Sequence, residues 1–137
     1  MAKIVISAQI DLEPSGREAA LNSAQPWIDG ALAQPGCIHY DWSADLNAPS
    51  RINVFEEWES EESLAAHFAG PQYAGMLAHI GQNGLLNAVS RKYRVDAEGE
   101  VYNAEGKPTP SFGCPGIPKP FVLSLSKHRS FSLCVVR

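Results

Sequence analysis

The chain has few cysteines, and no two of them are close in sequence. Its 137 residues hold three, Cys37, Cys114 and Cys134, and no C-x-x-C pair. An odd number of widely spaced thiols favours neither a zinc site nor a redox dithiol, so we expect no metal. Because intracellular thiols stay reduced, this cysteine usage is typical of a cytoplasmic protein.

Long apolar runs and basic stretches are also missing. No segment approaches the ~20 apolar residues that span a bilayer, and the N-terminus lacks the pattern of a secretory signal. Residues 1–100 hold six Lys and Arg against fourteen Asp and Glu. We therefore expect neither a nucleic-acid partner nor binding to a membrane. Nucleotide fingerprints, Gly-rich phosphate loops and a Ser-His-Asp order are absent as well.

What the sequence does contain centres on residues 51–80. Residues 51–58 alternate in polarity, which predicts a strand whose one face is formed by Ile52, Val54, Glu56 and Trp58. Ser60 stands where a helix N-cap belongs. Pro71 cannot continue that helix, but it can open a new one at its first position. The sequence thus predicts a strand that leads into a helix broken at Pro71.

Strands and helices alternate over the first 99 residues. We predict strands at 3–12, 37–44, 51–58 and 86–95, helices at 17–34 and 61–80, and a loop at 81–84. Pro26 should kink the first helix or split it near Ser23. The order β-α-β-β-α-β is that of the α+β ferredoxin-like fold, an antiparallel four-stranded sheet with helices on one face. The other face should be apolar and need a partner, so we expect a homodimer.

The character of the sequence changes after Gly99. Residues 101–137 hold five Lys and Arg and one acidic residue, and residues 108–120 contain five prolines. This composition is typical of irregular chain. We therefore divide the protein into a domain over residues 1–99 and a dispensable Pro/Gly-rich C-terminal extension over residues 100–137. The alternative is a tail strand that covers an edge of the dimer.

Two runs within the domain resemble the antibiotic biosynthesis monooxygenase family. They are PGCIHYDW at 35–42 and FEEWESEESLAAHFAGPQY at 55–73. Similar members include quinol monooxygenases, anthrone oxygenases and haem-degrading enzymes. The resemblance implies a dimeric α/β-barrel and a cofactor-independent monooxygenase that uses dioxygen on small electron-rich aromatic compounds. A non-catalytic dimeric binding or stress-response module is the alternative, and haem degradation is a third reading.

The resemblance also indicates catalytic residues. Many relatives carry a histidine at the position of His67, and a histidine can accept a substrate proton near neutral pH. Tyr73, across the helix break, is the second candidate and could offer its phenol to a substrate oxygen. The structural alternatives are a partly exposed helix histidine for His67 and ordinary amphipathic packing for Tyr73.

Four further residues form the predicted substrate-binding set: Trp58, Phe68, Met76 and Ser7. Trp58 would be a stacking wall for a flat substrate, with a core aromatic as the alternative. Several active branches hold the substrate oxygen with an asparagine in the first strand, where this chain offers Ser7 and Gln9. Tyr40 and Trp42 are expected to be structural.

Overall fold

The structure is a computed structural model that describes residues 1–112, and the chain divides after Asp96 into two compact units. The first unit has four strands and four helices. In chain order they are β1 (Ile4–Leu12), α1 (Arg17–Ser23), α2 (Gln25–Leu32), β2 (Cys37–Ala44), β3 (Arg51–Trp58), α3 (Glu61–Phe68), α4 (Pro71–Gln82) and β4 (Leu85–Arg94). The predicted ferredoxin-like order is confirmed, with each of its two helices divided in two.

Proline and capping chemistry explain where the helices divide. Pro26 lies in the first turn of α2, so the first helix splits after Ser23 as predicted. Ser60 caps α3: its side chain accepts the Ser63 backbone N–H at 3.2 Å, and the Ser63 hydroxyl accepts the Ser60 N–H at 3.1 Å. Pro71 opens α4, as predicted. The predicted loop at 81–84 is expected to hold at most one helical turn, and α4 continues into it as far as Gln82.

The four strands form one antiparallel sheet in the order β2-β3-β1-β4. Its inner face packs on the helices and supplies much of the core, in which Leu12, Ile52 and Trp58 are fully buried. The registers place Glu56 beside Ile6 of β1 and beside Tyr40 of β2, all on this inner face. Glu57, the next residue, therefore belongs to the outer face.

Helices α2 and α4 approach each other closely at one glycine. A Cβ at Gly75 would lie 2.0 Å from the indole nitrogen of Trp27. Only a residue without a side chain therefore allows this indole to pack on α4. The contact holds α4 against α2 and so fixes one wall of the space beneath the sheet.

The outer face of the sheet does not have the apolar character that the sequence suggested. Phe55, Val89 and Tyr93 are 42%, 53% and 51% exposed on it. Polar side chains surround them, and ion pairs join Asp11 to Arg51 at 3.1 Å and Glu57 to His39 at 2.9 Å. The expectation of an apolar outer face is wrong, because polar residues such as Gln9, Asn53 and Arg91 share that face with the exposed apolar side chains.

The second unit is described only up to residue 112. Tyr102 pairs with Pro108 in an isolated bridge, and the Thr109 N–H donates to the Val101 carbonyl at 2.9 Å. Gly106 has a φ of 73° in the turn between them. The predicted extension beyond residue 112, with Cys114 and Cys134, lies outside the described residues. Across residues 1–112, every helix is too short or too polar to cross a membrane.

Candidate active site

A cavity of about 220 Å³ lies between the inner face of the sheet and helices α3 and α4. Four aromatic residues from three elements contribute to its wall: Tyr40, Trp42, Phe68 and Tyr73. Ala88 and Ser90 of β4 also line it and are themselves exposed, so the cavity opens towards this edge of the sheet. A flat apolar molecule could therefore enter from the β4 side and pack against aromatic rings.

Glu56 contributes the only charged group among the described residues that line the cavity. It is 7% exposed, and its Oε2 accepts a hydrogen bond from the Trp58 indole N–H at 3.0 Å. Burial raises the pKa of the Glu56 carboxyl, and the hydrogen bond from Trp58 opposes that shift only in part. A carboxyl group with a raised pKa binds a proton more strongly than an ordinary glutamate, which suits it to proton transfer.

The Glu56 charge also acts on Tyr40. Burial is the main reason that the pKa of the Tyr40 phenol lies above its usual range, and the negative charge of Glu56 raises it further. Tyr40 therefore keeps its proton at physiological pH and faces the cavity as a neutral phenol. The adjacent Trp42 indole N–H is buried without a hydrogen-bond partner of acceptable geometry among the described residues. Tyr40 and Trp42 are thus part of the cavity wall as well as of the fold.

His67 lies behind the cavity wall. Its imidazole is fully buried among the rings of Trp58, Tyr40 and Tyr73, with centroid distances of 4.5, 5.4 and 5.6 Å. The Gln34 side-chain oxygen lies 2.6 Å from Nδ1, which assigns the proton to Nδ1. Nε2 is buried without a hydrogen-bond partner among the described residues.

Burial also changes the chemistry of His67. It lowers the pKa of the imidazole to about 4, so the ring is neutral at physiological pH. The alternative of a partly exposed helix histidine is wrong, because His67 is fully buried, and its ring is not part of the cavity lining. Leu64 and His67 share the buried side of α3, whereas Phe68 is 44% exposed and turns towards the cavity. The helical spacing from Leu64 to His67 is three residues, which places both on one face.

The structure gathers three of the six predicted site residues at the cavity. Phe68, Tyr73 and Met76 line it. Trp58 is wholly buried and is not part of its lining, although it holds Glu56 through the indole N–H. Ser7 is exposed and is also not part of the lining, because its register partner Phe55 belongs to the outer face of the sheet.

Sequence reasoning did not single out Glu56 as a site residue. The signal was present, because a carboxylate alternated with Ile52, Val54 and Trp58 on the apolar side of the predicted strand. A buried carboxylate has to be paired, hydrogen-bonded or functional. Among residues 1–112, no group of three or more His, Cys, Asp or Glu side chains is arranged to hold a metal ion.

Comparison with known proteins identifies relatives of this chain. A protein of Synechocystis described as uncharacterized is 29% identical over 70 residues, which cover 51% of this chain and 48% of that protein. The chain thus spans about half the length of this relative. A Bacillus subtilis protein named "Putative monooxygenase YcnE" is 27% identical over 75 residues, which cover 55% of this chain and 79% of that protein.

A solved structure shares the fold of this chain, and a family model matches its sequence. A conserved protein from Methanosarcina mazei has the same fold, with a TM-score of 0.63 at 23% identity over 69% of this chain and 93% of its own. The family model described as antibiotic biosynthesis monooxygenase matches residues 3–78, which carry β1 to β3, α3 and most of α4. That match covers more than half of the sequence, and the chain therefore belongs to the antibiotic biosynthesis monooxygenase family.

Proposed function

We propose that this protein is a monooxygenase that inserts one atom of dioxygen into a small electron-rich aromatic compound, without a metal or organic cofactor. The observation that carries the proposal is the half-open cavity, which combines aromatic walls with one buried carboxyl group. Family membership supports oxygenase chemistry. The shape and chemistry of the cavity support a flat, apolar substrate with one polar substituent.

The volume of the cavity sets the size of the substrate. A cavity of about 150 Å³ in another protein binds benzene, so about 220 Å³ holds one or two fused rings. A quinol of that size fits inside, whereas the third ring of an anthrone would extend through the open side at β4. A haem macrocycle, with four pyrrole rings, is too large for this space, which speaks against haem degradation.

The reaction that we propose begins with removal of a proton from the substrate. The resulting anion passes one electron to dioxygen, and the two radicals combine. For a quinol, the overall change converts the quinol and one O₂ into a hydroxyquinone and one H₂O. The cavity would exclude water from the radical pair, and Tyr40 and Tyr73 would donate hydrogen bonds to the anionic oxygen. In this proposal His67 positions the aromatic rings, because it packs against both tyrosines.

Oxygen consumption tests this function. Purified protein is supplied with one-, two- and three-ring quinols and anthrones, with and without haem, and we expect uptake that is fastest for the two-ring quinol. Ala88→Leu narrows the cavity and should lower the rate at least about tenfold. Asn87→Leu, on the neighbouring residue at the outer face, is the matched control and should retain the rate.

Binding without oxygen uptake would overturn the proposal in favour of the non-catalytic binding module. A rate that is equal in wild type and Ala88→Leu would place the chemistry elsewhere.

We also propose that two copies associate through the outer faces of their sheets. The support is the exposure of Phe55, Val89 and Tyr93 on a face that the helices of the chain leave uncovered. The surrounding charged residues would form the rim of such an interface. Sedimentation equilibrium of the wild type at micromolar concentration tests this association.

A further inference from the structure

We propose that Glu56 is the residue that recognises the substrate hydroxyl group and takes its proton. The inference deepens the proposed function and rests on it for the oxygen chemistry. It narrows the substrate to a phenolic compound whose O–H group can reach the inner face of β3. It also assigns proton transfer to a residue other than His67.

The position of the carboxylate supports this role. Glu56 lines the cavity, and its Oε2 is occupied by the Trp58 indole N–H at 3.0 Å. Among the described residues, that is the one hydrogen bond to the carboxylate, which leaves Oε1 to meet a ligand. Trp58 is fully buried on the same strand, so it holds the carboxylate in one orientation. A hydroxyl group in the cavity would therefore meet an oriented acceptor rather than a mobile side chain.

The cavity offers few other groups that could accept the proton. His67 is fully buried, is not part of the lining, and has a pKa of about 4, which makes it a weak base. The phenol of Tyr40 retains its own proton, because its pKa lies above the usual range. Ser90 is a neutral hydroxyl group at the open edge. Glu56 is thus the one anion at the cavity among the described residues.

The groups that face Glu56 also determine its behaviour with pH. Tyr40 and Cys37 of β2 feel the Glu56 charge, and the pKa of each is raised, so both keep their protons near neutrality. Tyr73 of α4 lines the same cavity, and the His67 ring of α3 behind its wall is neutral. Lys92 lies on β4, opposite Ile6 of β1, with Ile6 in turn opposite Glu56. The residues directly opposite Glu56 in the sheet are therefore Ile6 and Tyr40, neither of which is a cation. Burial is the main influence on the Glu56 carboxyl, and it raises the pKa.

The proton moves directly from the substrate hydroxyl group to the Glu56 carboxylate. The substrate O–H bond breaks, its electron pair stays on the substrate oxygen, and a new O–H bond forms at Glu56 Oε1. The substrate becomes a phenolate, and the carboxylate becomes a carboxylic acid. The acid then returns this proton to the peroxide formed on the ring carbon, which regenerates Glu56. The O–O bond breaks, the C–H proton of that carbon is lost as its C=O bond forms, and the two protons leave with the outer oxygen as water.

A binding experiment tests recognition without any turnover. Naphthol and its methyl ether are titrated into anaerobic protein, and binding is followed by quenching of tryptophan fluorescence. We expect wild type to bind naphthol at least about tenfold more tightly than the ether, as a hydrogen bond to a charged acceptor provides. In Glu56→Gln the amide oxygen would still accept from Trp58, which turns the NH₂ group towards the cavity. The preference for naphthol should then fall to about twofold or less.

A turnover experiment tests proton transfer. Glu56→Gln should lower oxygen uptake with a naphthoquinol by about 10²–10⁴. Raising the pH, so that the quinol ionises in solution, should recover part of the lost rate. Glu57→Gln is the matched control, because it removes the neighbouring carboxylate from the outer face of the same strand. It should retain both the uptake and the preference for naphthol.

The outcomes separate this inference from the proposed function. If wild type shows no oxygen uptake with any quinol, the proposed function fails, and the binding experiment decides the role of Glu56 alone. Equal binding of naphthol and its ether by wild type would overturn the inference even if Glu56→Gln did not fold. A folded Glu56→Gln variant that consumed oxygen at the wild-type rate would also overturn the inference.

Discussion

Glu56 and Glu57 are consecutive residues of β3, yet the two faces of the sheet give them opposite surroundings. Glu56 lies beneath the helices, where its carboxylate accepts a hydrogen bond from Trp58 and burial raises the pKa of its carboxyl. Burial also raises the pKa of Glu57, but hydrogen bonds from His39 and Lys3 outweigh it, and the net shift is downward. The comparison teaches that the hydrogen bonds donated to a carboxylate, rather than burial alone, decide which carboxylate is held as a stable anion.

The inner and outer faces of the sheet also differ in how their charged groups are paired. On the inner face, aromatic rings surround a cavity in which Glu56 is the one charged group contributed by residues 1–112. On the outer face, ion pairs such as Arg51 with Asp11 and His39 with Glu57 satisfy the charges, and exposed aromatic side chains lie between them. The inner face is thus arranged to bind a small molecule, and the outer face is suited to contact with another protein surface.

Among these variants, Trp58→Ala should cause the largest loss of stability. Trp58 is fully buried, and its removal leaves a cavity that costs about 3–5 kcal/mol of unfolding free energy. Urea unfolding measures the loss. Tyr93→Ala, which removes a half-exposed aromatic from the outer face, is the control and should cost less than about 1 kcal/mol. Equal losses would show that the two faces contribute alike to folding.

His67→Ala should cost about 2–3 kcal/mol near neutral pH, because it empties a fully buried site. The cost should depend on pH. The unfolded histidine takes up a proton near its ordinary pKa, but the folded one does so only at about 4. The stability from the buried neutral ring is therefore present above about pH 6.5 and lost as pH falls towards about 4.

Denaturation of wild type and His67→Ala at several pH values tests this dependence. The difference in stability between them should shrink as pH falls through that window. His39→Ala, at an exposed histidine of the outer face, is the control for loss of an imidazole and should cost about 0.5 kcal/mol or less at neutral pH. A difference that stayed constant with pH would contradict the low pKa of His67.

Glu56→Gln and Glu57→Gln should change stability in opposite directions. The raised pKa of the Glu56 carboxyl means that its ionisation opposes folding as pH rises above about 4.5. Glu56→Gln should therefore stabilise the domain, by about 1 kcal/mol at mildly alkaline pH. The lowered pKa of the Glu57 carboxyl contributes stability that is present above that pH and lost as pH falls.

Glu57→Gln should consequently destabilise by about 0.5–1 kcal/mol at the same alkaline pH, as loss of a partly exposed ion pair does. Both differences should vanish in acid, where the wild-type carboxyls are protonated. Thermal unfolding at two pH values measures both signs. The same sign for both variants would remove the distinction between the two faces.

Tyr93→Glu should have the smallest effect on folding, within about 0.5 kcal/mol, because the side chain is 51% exposed. Its effect should appear in self-association. If outer faces form the proposed dimer, sedimentation equilibrium at micromolar concentration should show wild type as a dimer and Tyr93→Glu as a monomer. Glu61→Gln, at an exposed carboxylate in the first turn of α3, is the control and should remain dimeric. A wild-type monomer would contradict the proposed partner.

The sequence by itself determined the order of the elements and their faces. Alternation placed Glu56 with Ile52, Val54 and Trp58, and Glu57 on the other side, because successive side chains of a strand point in opposite directions. Pro26 and Pro71 marked the helix breaks, because proline cannot donate the hydrogen bond that a helix interior requires. These are local properties of the chain, and the sequence alone suffices to predict them.

Only the tertiary structure decided what those faces do. The burial of His67 depends on the rotation of α3 against the sheet, and its Nδ1 partner, Gln34, lies 33 residues earlier in the chain. Tyr40 and Trp42 looked structural in the sequence and became cavity wall, because α3 and α4 leave a space over β2 and β1. The environment of Glu56 likewise depends on which side chains other elements bring towards it. Such long-range packing changes both exposure and pKa, and no local pattern encodes it.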